Sequence, residues 1–202
     1  AAVIKDLDDS RLKLNAATCL HNISSARACR TDMVLRGAVP SLRALADERD
    51  PDTLYAVAAT LQKLTLDVAS RKRVIAEGCV SAALAVTRRS SEVRTSRQCA
   101  LVMYNLSTYT DCLDELVKSG ALDVLASLCK GPDLCTRKSC ASAFCNLFRA
   151  GHAVHEHILE ATALKSRFAL AAEMSGVDDV LAEALSYALH NMSHARGELH
   201  GR

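Results

Sequence analysis

Apolar residues in this chain fall in groups spaced i, i+3, i+4 and i+7, the stripe of an amphipathic helix. One group is Cys99, Val102, Met103 and Leu106. Val57, Thr60, Leu61 and Leu64 form another, and Cys140, Ala143, Phe144 and Leu147 a third. Ala16, Cys19, Leu20 and Ile23 open the series, and Leu185, Ala188, Leu189 and Met192 close it. A polar residue sits just before the last member of each group: Asn22, Lys63, Asn105, Asn146 and Asn191. The steps between them are 41, 42, 41 and 45 residues. A period of this size marks a helical solenoid, in which each unit buries its apolar face against the next.

Between these positions a second pattern recurs: "LRGAVPSL", "AEGCVSAAL" and "KSGALDVL". Its glycines, Gly37, Gly78 and Gly120, each follow a short helical stretch and precede a longer one. Glycine supplies the left-handed turn that such a junction needs. The fourth copy has Thr162 instead, which predicts a less regular turn there. Helix starts are also marked. Asp50-Pro51 puts a capping residue before a first-turn proline, Gly131-Pro132 stands at the equivalent junction, and Ser90 or Ser91 can cap the helix ahead of Glu92. Each unit therefore reads as a short, a medium and a long helix. The array opens with a lone long helix at about residues 10–24.

The turns "GAVPSL" and "SGALDVL" and the helix ends "MYNLS" and "FCNLF" resemble the armadillo repeat consensus, across nearly all of residues 10–195. HEAT repeats are the runner-up, but usually have two helices per unit and lack this glycine turn and asparagine ladder. The fold expected is all-α: a right-handed α-solenoid of armadillo repeats with three helices per repeat of about 41–42 residues. The whole of 1–202 is read as one domain and a fragment of a longer array. Its divisions are the end of a partial repeat (1–24), repeats at 25–66, 67–108 and 109–149, a stretched repeat at 150–195 and a tail at 196–202. The terminal helices would show apolar faces, so more repeats or a partner are expected beyond at least one end.

The resemblance implies that Asn22, Lys63, Asn105, Asn146 and Asn191 face a concave groove. An amide there offers donors and an acceptor to the main chain of an extended segment. One turn earlier lie Thr18, Ala59, Leu101, Ser142 and Tyr187. Importin-alpha-like repeats hold Trp at that place, and this chain has none, which disfavours a carrier of basic import signals. Further back, Arg94, Arg97, Gln98, Lys138 and Ser139 make the groove centre locally basic, which suits an acidic or phosphorylated segment.

Composition narrows the picture. Half the residues are apolar, only 3% are aromatic, and Gly and Pro are few, as suits closely packed helices. The net charge of +2 gives no general case for nucleic acid or a membrane surface. Nine Cys, an odd number, follow helical spacing, with Cys19, Cys99 and Cys140 read as core and Cys129, Cys135 and Cys145 as core or near-core. That usage points to a reducing compartment: cytoplasmic, nuclear or ciliary. His152, His155 and His157, and the pair His190 and His194, lack the converging third ligand of a zinc site. No phosphate-binding or nucleophile motif occurs. The expectation is a non-enzymatic protein-interaction scaffold with no cofactor, metal or small-molecule substrate. The alternative is a structural part of a cytoskeletal or axonemal assembly, touching its partners through the convex face or the ends.

Overall fold

The computed structural model describes residues 9–149, with side chains through 147. These residues form ten α-helices, three 3₁₀ turns and no strand. The helices are α1 (Ser10–Ser25), α2 (Arg30–Leu35), α3 (Ala38–Leu45), α4 (Pro51–Leu64), α5 (Arg71–Ala76), α6 (Cys79–Arg89), α7 (Val93–Ser107), α8 (Leu113–Lys118), α9 (Ala121–Leu128) and α10 (Leu134–Arg149). After the lone α1, the order short, medium, long is kept three times. The long helices α1, α4, α7 and α10 stack side by side as one layer, and α3, α6 and α9 form a second layer against them.

Local chemistry explains the boundaries. Gly37, Gly78 and Gly120 all take φ between 81° and 95°, the left-handed region, and each is followed at once by a medium helix. At Gly78 a Cβ would also stand 3.1 Å from Arg43 Cδ and from Ser81 Oγ, so those side chains would have to shift slightly in addition to the strain from φ. Asp50 caps α4, accepting from the N–H and hydroxyl of Thr53 at 2.7 Å each, with Pro51 in the first turn. Asp133 does the same for α10 through Thr136, at 2.8 and 2.7 Å. Asp9 caps α1 through Arg11 N–H at 2.7 Å.

The α7 start departs from this plan. Its N-cap is Glu92, not a serine, and Glu92 makes no side-chain cap bond. Its longer carboxylate turns to Arg94, and the hydroxyl of Thr95, where Asp50 and Asp133 find their threonines, is buried without a partner. Ser90 Oγ instead accepts from Glu92 N–H at 3.3 Å.

The core runs the length of the stack. Leu42, Leu45, Leu54, Leu61, Leu64, Ile75, Met103, Leu106 and Phe144 are fully buried among Ala and Val side chains small enough to let helices approach. Burial of each large side chain is worth about 1.5–3 kcal/mol against leaving it in water. Cys79, Cys99, Cys112, Cys129 and Cys140 lie in the same core. Burial raises the Cys99 thiol to about 12, and raises Cys79 too. Contact with Cys129 and burial raise Cys140. These thiols fill space and are not nucleophiles. Cys19 and Cys135, expected in or near the core, are exposed. Cys19 sits on the side of α1 that no described helix covers, beside exposed Leu12 and Ile23. Cys135 occupies the first turn of α10, on its solvent face.

Thr162 and the stretched final unit lie outside the described residues, as do His152, His155, His157, His190 and His194. No described helix is long and apolar enough to cross a membrane.

Candidate functional site: the face of the long helices

Each long helix ends where a polar residue meets the unit before it. Asn105, at the end of α7, is only 7% exposed. Its Nδ2 donates to Thr65 Oγ1 at 3.0 Å and to the Gln62 carbonyl at 3.4 Å. Asn146 Nδ2 donates to Ser107 Oγ at 3.1 Å. Lys63 copies the reach one unit earlier, donating to Ser25 Oγ at 2.8 Å and to the His21 carbonyl at 3.5 Å. The hydroxyls act as relays: Thr65 donates to Gln62 O and Ser107 to Tyr104 O, so their lone pairs are open to the next unit's amide. Asn22 is exposed, with no described unit before it.

At Lys63, Asn105 and Asn146 the ladder is therefore an inter-unit clasp. The rung position falls at the edge of the apolar stripe and turns into the seam, where the backbone groups at the end of the preceding helix need partners. Expected to line a groove, with Lys63 a weaker or charge-based rung, the described ladder residues differ in exposure: Asn105 sits in the seam, Lys63 and Asn146 are half-buried and Asn22 is in solvent. Asn191 and Tyr187 lie outside the described residues.

Two further residues serve the same seam. Arg30 Nε and Arg71 Nε each donate at 2.9 Å to the carbonyls of Ser24 and Thr65. Arg71 is nearly buried, and also donates to Thr108 Oγ1 at 3.0 Å. Sequence reading missed both arginines and the hydroxyls. The signal was present: Arg30 and Arg71 are 41 apart, and Thr65 and Ser107 each stand two residues after a rung, while the first seam uses Ser25, three after Asn22.

A stripe of exposed and half-buried residues on the long helices lies one residue back from the rungs. It runs through Asp52, Tyr55 and Gln62 on α4, Arg94, Arg97, Gln98, Leu101 and Tyr104 on α7, and Lys138, Ser142 and Cys145 on α10. Thr18 and Ser142, expected beside the ladder, are exposed; Leu101 is half-buried and Ala59 is buried.

The expected basic centre is charge-balanced. Arg94 is bound to Asp52 at 2.6 Å and to Glu92 at 2.7 Å, and lies 4.8 Å over the Tyr55 ring. Arg97 makes a two-pronged pair with Asp133, at 2.9 and 2.7 Å. The bond from Arg97 is the main reason the Asp133 carboxyl is held well below the ordinary carboxylate range; its bonds to Thr136 add to it. Bonds to Glu92 first, then Asp52, raise the Arg94 guanidinium. Two of the three expected cations are thus paired with three carboxylates that the groove reading left out, and Lys138 has no ion pair among the described residues.

In their backbone course, solved structures of repeat proteins are similar to this chain. A computationally designed armadillo repeat protein for modular peptide recognition matches with a TM-score of 0.72 at 18% identity, over 93% of this chain and 79% of that one. A designed armadillo repeat protein in complex with the peptide (KR)4 matches at 0.70 and 16%, over 94% and 79%. An engineered protein from a structural genomics effort matches at 0.69 and 20%, over 94% and 78%. The fold is that of armadillo repeats. No family sequence model matches the chain, and no curated protein matches it significantly in sequence. The armadillo likeness thus rests on architecture, and identity this low carries the fold alone. The stripe from Asp52 to Cys145 lies on the layer formed by the long helices.

Proposed function

We propose that this armadillo solenoid is a non-enzymatic interaction scaffold, binding a segment of a partner protein along the inner face of α4, α7 and α10. One observation carries the reading: the stripe around Tyr104, which is 38% exposed, places aromatic, aliphatic and amide groups in a row that the core and the seams do not use. Tyr104 and Leu101 supply apolar contact, while Gln62 and Gln98 supply donors and acceptors for a main chain. The designed armadillo protein bound to (KR)4 supports the view that such an architecture can hold a peptide.

Asn105 and Asn146 contribute little through Nδ2, which is committed to the seam. Selection of an acidic segment rests on Lys138, which has no ion pair among the described residues, since Arg94 and Arg97 are already paired. A partner carboxylate reaching Arg94 or Arg97 would have to replace Asp52, Glu92 or Asp133, and salt would weaken a complex held by Lys138.

A photo-reactive residue in place of Tyr104, compared with one in place of the exposed Ser81 on α6, tests the reading. Cross-links from position 104 to a partner segment, with none from 81, are expected. The reverse pattern would refute inner-face binding. A second reading has its own observation: the open side of α1 shows Leu12 at 48% and Ile23 at 49% exposure. It favours assembly through that end, in which cross-links would come from α1.

A further inference from the structure

We propose that Ser91 is a phosphorylation site, and that the cleft beside it receives the phosphate. The turn between α6 and α7 reads Arg88-Arg89-Ser90-Ser91-Glu92. Guanidinium groups two and three residues before a serine are what a basophilic protein kinase, one with carboxylates in its peptide site, can pair with. The two serines differ. Ser90 is buried, and its hydroxyl is held by Glu92 N–H. Ser91 is exposed.

Ser91 stands on the wall of a cleft of about 480 Å³ between this turn and the α9–α10 turn of the next unit. Arg88, Arg89 and Lys130 line it, together with hydroxyls of Ser96 and Ser127. Its one lining carboxylate is Asp133, already bound by Arg97. Arg89 is paired with Asp47 at 2.9 Å. Arg88 and Lys130 have no carboxylate partner among the described residues. The cleft wall therefore holds two uncommitted cations next to an exposed hydroxyl.

In the reaction Ser91 Oγ attacks the γ-phosphorus of magnesium-bound ATP in the kinase. The Oγ–P bond forms, the bridging P–O bond to the β-phosphate breaks, ADP leaves, and the hydroxyl proton passes to the kinase's base. The product carries close to two negative charges near pH 7. Arg88 from its own unit and Lys130 from the next close on it, so the modification ties the α6–α7 turn to the α9–α10 turn.

The full chain, incubated with magnesium ATP and a basophilic serine kinase, is mapped by mass spectrometry. One phosphate on Ser91 is expected, lost in Ser91→Ala and slowed by roughly tenfold or more in the double variant Arg88→Ala, Arg89→Ala. Lys130→Ala leaves the recognition sequence whole and tests the receiving cleft separately. By phosphorus NMR the phosphate's second pKa should lie below its ordinary value of about 6 and return toward it in Lys130→Ala. Phosphate on Ser90 or elsewhere, no phosphate at all, or a titration unmoved by Lys130→Ala overturns the proposal.

Discussion

Asn105 and Lys63 occupy the same rung one unit apart, and both reach a hydroxyl and a carbonyl at the end of the preceding long helix. The chemistry at the two seams nevertheless differs. Asn105 is neutral, buried and bonded to a hydroxyl that is itself fully buried. Lys63 brings a charge, reaches an exposed Ser25, and stands 3.3 Å from His21 Nε2. With an ammonium donating to Nε2, the ring proton belongs on Nδ1, a buried atom with no partner. Burial first, and Lys63 second, lower the His21 pKa from its ordinary 6.5. Burial first, and Arg30 second, lower that of Lys63. Both shifts run in the same direction, because burial disfavours the charged form of each group and each has a cation beside it: Lys63 for His21, Arg30 for Lys63. A rung can therefore be kept geometrically while its response to pH and salt is changed.

The largest expected effect breaks the neutral seam. Asn105→Ala strips both bonds and leaves the Thr65 hydroxyl and the Gln62 carbonyl only their bond to each other, at a cost of about 1–3 kcal/mol in this buried seam. Urea unfolding followed by circular dichroism would show it. A loss no greater than that of an exposed-residue control would contradict the clasp. Thr65→Val removes the relay but keeps the shape, and should cost about 1 kcal/mol by the same measurement.

The pH dependence sharpens the contrast. His21 has a folded pKa below its unfolded value, so the unfolded chain takes the proton first as pH falls. The stability this seam contributes is intact above about 6.5, and is lost as pH drops from there through the lowered folded value. Hydrogen exchange at α1 amides, compared with α7 amides, should quicken selectively across that window, and His21→Phe should abolish the difference. Equal acceleration in both helices would argue against it. Lys63→Asn, which gives the first seam the chemistry of the second, should reduce the salt dependence of α1 protection. The smallest effect belongs to Ser25→Ala, at an exposed hydroxyl, where a change within about 0.5 kcal/mol is expected.

Repeat and turn were legible because they are local or periodic. The left-handed Gly37, Gly78 and Gly120 and the Asp50 cap each depend on a few neighbouring residues. The Glu92 start was misread as a serine cap because Ser90 and Ser91 are equally good capping types; the choice depended on where the chain left α6. Cys19 was misplaced because a stripe shows which side of a helix is apolar, not whether another helix covers it. The clasp residues Arg30, Arg71, Thr65 and Ser107 were periodic too, but nothing local says that a periodic polar residue bonds to the unit before it.

By itself the sequence determined the unit length, the order of short, medium and long helices, and the turn between the first two. Those follow from 3.6-residue periodicity, capping and the φ preference of glycine, all settled within about a dozen residues. Only the tertiary structure decided which way the rungs point and which arginines stay free. Thr65 and Asn105, Asp52 and Arg94, and Arg97 and Asp133 are separated by 40, 42 and 36 residues. Whether such groups meet depends on how one unit is set against the next. A small rotation of a long helix would carry a rung at the stripe's edge from the seam to the solvent.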